Sequence, residues 1–136
     1  MSGTIKSKPV ATAEAEKTVA DLRARMLGKK FFIVTTRPVA PPEEVGKYLR
    51  AHLHNQIRLE KEGIMFGAGP VRDMNGDFEY GMFILRCSSE KEAREIADND
   101  PMHKAGVRQY TLHTWTMNEG RINISVDVSD QTFKLD

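Results

Sequence analysis

The sequence has one cysteine, few aromatic residues, no excess of charge and no long apolar run. The single cysteine, Cys87, cannot form an internal disulfide, which excludes disulfide scaffolds and cysteine-rich zinc modules and fits a reducing cytoplasm. Lysine and arginine total 20 against 19 aspartate and glutamate residues, so charge gives no reason to expect nucleic acid or a membrane surface as a partner. The apolar runs fall far short of the roughly 20 residues that cross a bilayer. With no apolar segment near the N-terminus, we expect a cytoplasmic protein without a secretory signal.

The composition and the predicted order of strands and helices are those of one α+β domain. Its 136 residues are 40% hydrophobic and 29% charged, a balance typical of a soluble globular protein. Apolar runs and turn residues predict strands at 31–35, 64–70, 78–87 and 107–115, and helix signals predict helices at 42–62 and 89–97. The resulting order is β-α-β-β-α-β, the split βαβ pattern of ferredoxin-like folds.

Two extensions flank this predicted domain, which divides the chain into 1–28, 29–116 and 117–136. Good helix formers at 11–27, followed by Gly28, predict an additional N-terminal helix. In the tail, apolar residues alternate with polar ones over 122–128, which predicts a fifth strand. We expect that strand to lie at a sheet edge or to reach a partner subunit.

The first candidate for chemistry is a histidine in the 42–62 helix. On a helical wheel of about 100° per residue, His52 lies in the middle of the apolar stripe, whereas His54 lies among charged neighbours on the opposite side. His52 should therefore point towards the sheet and His54 towards water. The alternative for His52 is a core histidine whose hydrogen bonds are satisfied within the fold.

A carboxylate is expected to meet His52. Continuing the wheel of the 89–97 helix, Asp100 returns to the inward face that carries Ala93 and Ala97. An inward carboxylate can hold an imidazole in one tautomer and suit it to proton transfer near neutral pH. The alternative for Asp100 is a cap of the turn that it forms with Pro101.

Neither a metal site nor a cofactor motif is predicted. His52 and His54 diverge on the helix, and no third ligand is evident beside them. The Gly67–Ala68–Gly69 stretch leads into Pro70 and further strand, and not into a helix N-terminus, so it does not match a phosphate-binding loop. We expect these glycines to leave room for a ligand or a bend in the sheet.

Together the motifs resemble the YCII-related family over residues 30–115. They comprise His52-Leu53 with Gly63 eleven residues after the histidine, Ala68-Gly69-Pro70, Ser89-x-x-Glu92-Ala93, Asp100-Pro101 and Ala105-Gly106-Val107. The resemblance implies a ferredoxin-like subunit that dimerises through its sheet, as in the dimeric α+β barrel superfamily, and an active site built from His52 and Asp100. The clearest enzymatic members of the family resemble muconolactone isomerases and remove chloride from chlorinated hydroxyhydroquinones.

The leading functional hypothesis is a cofactor-free lyase or isomerase that acts on a small oxygenated ring or lactone, in the breakdown of aromatic compounds. His52 would move a proton and Asp100 would orient it and stabilise its charged form. The candidates for substrate binding are Arg37, Arg72 and Arg108, which suit a carboxylate or phenolate, together with Gly67 and Tyr80 at the pocket wall.

Two other hypotheses stay open. The protein could be a non-catalytic dimeric module that binds a small ligand or another protein, or a cofactor-free oxygenase of the same superfamily. In each case we expect a homodimer or a higher homo-oligomer, a small molecule as ligand, and no nucleic acid or membrane partner.

Overall fold

A computed structural model describes residues 17–135. The residues Lys29–Met117 form one compact unit, and the described parts of the two flanking segments, 17–28 and 118–135, form another. In chain order the helices are α1 (Val19–Ala24), α2 (Pro42–Gly46), α3 (Leu49–Lys61), α4 (Glu90–Asp98) and α5 (Pro101–Lys104). The strands are β1 (Lys29–Pro38), β2 (Met65–Arg72), β3 (Phe78–Leu85), β4 (Arg108–Met117), β5 (Ile124–Asp127) and β6 (Thr132–Leu135). No helix in the described part of the chain is both long enough and apolar enough to cross a membrane.

The larger unit is built on a four-stranded antiparallel sheet in the order β2-β3-β1-β4. The strands β1 and β3 are each paired on both sides. Helical crossovers connect β1 to β2 and β3 to β4, whereas β2 and β3 form a hairpin. The hairpin turn is organised by Asp73, whose carboxylate accepts the backbone N–H groups of Asn75 and Asp77. The α+β, ferredoxin-like fold predicted from the sequence is confirmed.

The sheet has two unlike faces because successive side chains of a strand point in opposite directions. On the face towards the helices, a buried core is formed by Phe32, Val34, Phe83, Leu85, Ala93 and Ala97. On the opposite face Phe31 is buried beneath the rings of Phe66 and Trp115, whose centroids lie 5.0 and 5.5 Å from its own. The apolar character of both faces, expected from the run at 31–34, is present in the structure.

The predicted 42–62 helix is wrong at its middle, where the chain leaves the helical path. The helix α2 ends at Gly46, and Tyr48 has φ −107° and ψ 2°, outside the helical region, before α3 begins. Glycine is a weak helix former because its backbone loses more entropy on ordering than that of any other residue. The short helix α5 was not predicted either. It begins because Pro101 fits the first turn of a helix and Asp100 caps it.

The flanking unit contains α1 and a hairpin of β5 and β6. Within the described residues, the helix predicted over 11–27 is wrong at both ends. Thr18 is extended and forms a capping box with Asp21 that starts α1 at Val19, and α1 ends at Ala24, before the predicted end at residue 27; residues 11–16 lie outside the described residues. The tail strand predicted at 122–128 is the shorter β5, and β6 was missed. Within this unit, the N–H of Leu27 donates to the carbonyl of Asn118 and joins the two segments.

Candidate active site

His52 and Asp100 form a hydrogen-bonded pair. The first turns of α3 place His52 on the side that faces the sheet, and its Nδ1 lies 2.7 Å from Oδ2 of Asp100. The side chain of His52 is 16% exposed and that of Asp100 only 1% exposed. His54 is exposed, as the helical wheel predicts for the opposite side of the helix.

Asp100 uses its two carboxylate oxygens for two separate tasks. Oδ1 accepts the backbone N–H of Met102 at 2.9 Å and so caps α5, while Oδ2 faces His52. Oδ2 also accepts a longer bond, 3.5 Å, from Nε2 of Gln56. The capping role and the pairing role, considered as alternatives on the sequence, are therefore present together.

The surroundings of Asp100 keep it ionised. Burial raises the pKa of Asp100, but the hydrogen bond and charge of His52 and the N–H of Met102 outweigh that effect, so the pKa lies below its ordinary value. An ionised carboxylate only accepts hydrogen bonds, so Nδ1 of His52 carries a proton. In the neutral ring, Nε2 is then the nitrogen with a free lone pair, which is the arrangement that a general base requires.

A cavity of about 330 Å³ adjoins this pair. Its walls come from β1, α3, β2, β3 and β4, and most of its surface is apolar. The lining residues are Thr36, Leu49, His52, Leu53, Gln56, Ala68, Gly69, Pro70, Phe78, Gly81, Met82, Phe83 and Arg108. A cavity with apolar walls and a few polar groups is the common form of a small-molecule site.

Of the three arginines proposed from the sequence, only Arg108 lines this cavity. Its guanidinium carbon lies 5.5 Å from the centre of the Phe78 ring. Burial lowers the pKa of Arg108, and the nearby charge of Asp100 opposes that effect without cancelling it. Two buried atoms of the cavity residues, Nε of Arg108 and Oε1 of Gln56, have no hydrogen-bond partner among residues 17–135.

The other residues proposed for substrate binding lie elsewhere in the described structure. Arg37 stacks on Tyr80, with its guanidinium carbon 4.9 Å from the ring centre, and Arg72 donates to the carbonyl of Gly76 in the β2–β3 turn. Gly67 follows a bulge in β2 and pairs with Ile84. None of the four lines the cavity, whereas Gly69 of the same glycine-containing stretch does.

A second series of hydrogen-bonded polar groups, not predicted from the sequence, reaches the cavity wall at Thr36. Nδ1 of His103 lies 2.6 Å from the carbonyl oxygen of Ala97, so this nitrogen is the protonated one, and Nε2 lies 2.8 Å from the hydroxyl oxygen of Thr36. In the neutral ring the Thr36 hydroxyl therefore donates to Nε2. The alternation of side chains along β1 could have predicted the position of Thr36, because Thr36 lies on the same face of the strand as Phe32 and Val34.

Metal ligation and thiol chemistry find no support in the described part of the chain. No group of three or more histidine, cysteine, aspartate or glutamate side chains within it is placed to hold a metal ion. Burial raises the pKa of the Cys87 thiol to about 11, and the charge of Glu92 adds to the effect. At neutral pH this thiol stays protonated and is a poor nucleophile.

Comparison with known protein families agrees with the motifs. Residues 30–116 match the YCII-related domain family. The chain belongs to this family. No curated protein matches this YCII-related chain. A similar solved structure is 5-chloro-2-hydroxyhydroquinone dehydrochlorinase from Burkholderia phenoliruptrix AC1100 in complex with 2,5-dihydroxybenzoquinone, with 18% identity, a TM-score of 0.48, and coverage of 62% of this chain and 92% of the other.

Proposed function

We propose that this protein is a cofactor-free lyase or isomerase that moves a proton on a small oxygenated ring or lactone in the breakdown of aromatic compounds. The observation that carries the proposal is the 2.7 Å contact between His52 and Asp100 at the wall of a largely apolar cavity. Membership of the YCII-related family supports it, because the same two residues carry the resemblance to that family.

The reaction uses Nε2 of His52 first as a base and then as an acid. Nε2 takes a proton from a ring carbon or hydroxyl of the substrate, and the electron pair left behind forms a new double bond. In a lyase that pair expels a leaving group with its bonding electrons, and the imidazolium then gives its proton to the leaving group or to solvent; in an isomerase the imidazolium returns the proton to a different atom of the substrate. Asp100 stabilises the imidazolium and keeps its Nδ1–H in place.

The cavity wall favours this proton transfer. Leu49, Leu53 and Phe83 line the cavity together with His52, and this apolar surface suits the faces of a small ring. Asp100 is almost fully buried, so its charge acts on the imidazole with little screening by solvent.

The proposal is tested by deuterium exchange in D₂O with a panel of hydroxylated aromatic rings and lactones, followed by mass spectrometry. The wild-type protein should convert, or exchange a proton of, at least one compound. His52→Ala should lower that rate by roughly a hundredfold or more, the usual scale for loss of a positioned acid–base group. His54→Ala is the matched control, because it removes an exposed histidine from the same helix, and it should leave the rate unchanged.

An unchanged rate in His52→Ala would remove the mechanism. Compounds that bind without any exchange or turnover would instead favour the non-catalytic binding module. Circular dichroism of each variant should show the wild-type fold, so that a lost rate reports lost chemistry.

A further inference from the structure

The cavity contains a cationic side chain whose hydrogen-bonding capacity the fold leaves unused. Arg108 is half-buried in the wall, and its guanidinium makes no hydrogen bond to any residue of the described chain. No carboxylate within residues 17–135 forms an ion pair with it. A buried donor without an acceptor is costly, and more so when it is charged. An acceptor on a ligand would restore the bonds that burial removes.

The surrounding residues hold the guanidinium at the cavity wall. On one side it lies over the Phe78 ring. On the other side, the absence of a side chain at Gly81 leaves room for the guanidinium. A Cβ at Gly81 would lie 3.2 Å from Nη1 of Arg108 and 3.0 Å from Cγ2 of Thr36. Both neighbours also line the cavity, so the cation is kept in the wall itself.

The charge of Arg108 is available to a ligand. Arginine stays protonated in proteins, and the nearest buried anion, Asp100, already accepts bonds from His52 and from the backbone of Met102. The adjacent wall is largely apolar, and the partial burial of the cation strengthens its attraction for an anion. A planar guanidinium has a fork of donors that matches a delocalised pair of oxygens.

We propose that the cavity takes a small ring compound with a delocalised oxyanion, either a carboxylate or a phenolate, and that Arg108 binds this oxyanion and sets the specificity for it. The inference rests on the proposed function in one respect, that this cavity is the substrate site. Its test, however, measures binding and not turnover. A catalytic failure of His52 and a binding failure of Arg108 are therefore separate results.

The test is an NMR titration at pH 8 with two matched pairs of probes. Benzoate and benzamide have the same planar shape, and only benzoate is charged. The ions of 4-nitrophenol and the neutral 4-nitroaniline form the corresponding phenolate pair. At least one anion should bind the wild-type protein roughly tenfold or more tightly than its neutral partner, the scale of a charge-assisted hydrogen bond. The pair that shows this preference identifies the oxyanion as carboxylate or phenolate.

Arg108→Gln should abolish the preference and leave the affinity for the neutral probes unchanged. Arg72→Gln is the matched control, since it removes an arginine of the exposed turn, and it should keep the preference. Should Arg108→Gln fail to fold, Gly81→Ala retains the charge and displaces the guanidinium, so it should lower the preference severalfold. His54→Ala, which changes an exposed histidine outside the cavity, should keep the preference in full. Equal binding of charged and neutral probes by the wild-type protein, undetectable binding of both anions, or a preference that survives in Arg108→Gln would overturn the proposal.

Discussion

Asp100 connects the local structure of the chain to the chemistry of the site. Because its Oδ2 only accepts, it fixes the proton of His52 on Nδ1. An asparagine at this position can still cap α5 with its carbonyl oxygen, but it then turns an NH₂ group towards the ring. We expect Asp100→Asn to move the proton of neutral His52 to Nε2, which removes the base and lowers turnover by roughly a hundredfold or more.

The tautomer is measured directly by the ¹⁵N chemical shifts of the His52 ring. Asp98→Asn is the matched control, because Asp98 accepts from the hydroxyl of Tyr110 and makes no bond to His52. A His52 ring that keeps its proton on Nδ1 in Asp100→Asn, with full activity, would contradict this account of the pair.

At the same scale, the sequence predicts the histidine and the aspartate but does not select the arginine. His52 follows from the period of α3, which is fixed by backbone geometry. Asp100 lies two residues beyond the end of α4, so the sequence reaches it only by extending the helical period past that end. The position of Arg108 at the cavity wall depends on the sheet register, and its contact with the Phe78 ring depends on a bulge in β3. Val71 pairs with Tyr80 but Arg72 pairs with Phe78, so Glu79 is an extra residue and Phe78 turns towards the cavity. No local property of the sequence marks that extra residue.

At the scale of elements, the strands and the crossover helices follow from the sequence, whereas the break between α2 and α3 does not. A single glycine costs a helix only about 1 kcal/mol, which is too little to predict an interruption without knowing what the two halves pack against. The four-residue helix α5 is similarly too short to show a periodic pattern. Its start depends on Asp100 and Pro101, which read equally well as a turn.

Two glycines in these connections form a matched pair for a stability test. A Cβ at Gly46 or Gly63 would meet nothing within 4 Å, but Gly63 has φ +76° and Gly46 has no such left-handed conformation. Gly46→Ala should raise the free energy of unfolding by about 0.4–1 kcal/mol, because it restricts the unfolded chain. Gly63→Ala should lower it, because an alanine is strained at that φ. Urea denaturation measures both, and shifts of the same sign would contradict the explanation.

At the scale of the whole molecule, the sheet face opposite the helices suggests a homodimer. That face carries the half-buried side chains of Ile33, Met82, Ile84 and Trp115. A sheet face that is apolar is normally covered by another layer. We propose that a second copy of the chain covers it, so light scattering at micromolar concentration should give twice the 15.4 kDa of the monomer. A monomer mass would count against this assembly.

The C-terminal hairpin provides a second apolar surface. Its large apolar side chains are at least 62% exposed in residues 122–135, and they are Ile122, Ile124, Val126, Val128, Phe133 and Leu135. Exposed apolar surface of this kind usually marks an interface. Deletion of residues 118–136 should therefore lower the melting temperature of the dimer and raise its dissociation constant. Val126→Asp should have the same effect, while Asp127→Ala on the other face of β5 serves as its control.

Because Asp100 both caps α5 and pairs with His52, positions 52 and 100 should differ in how many residue types they accept. A change at position 52 removes one partner of the buried Asp100 carboxylate but leaves the cap of α5 in place, so a population selected only for folding should accept more residues at position 52 than at position 100. Position 100 holds α5 with one oxygen and the imidazole with the other, so selection for folding removes residues that cannot cap α5, and selection for the proposed activity also removes residues that cannot pair with the imidazole. We therefore expect amino-acid substitutions to accumulate more slowly at position 100 than at position 52, although the two residues share one hydrogen bond.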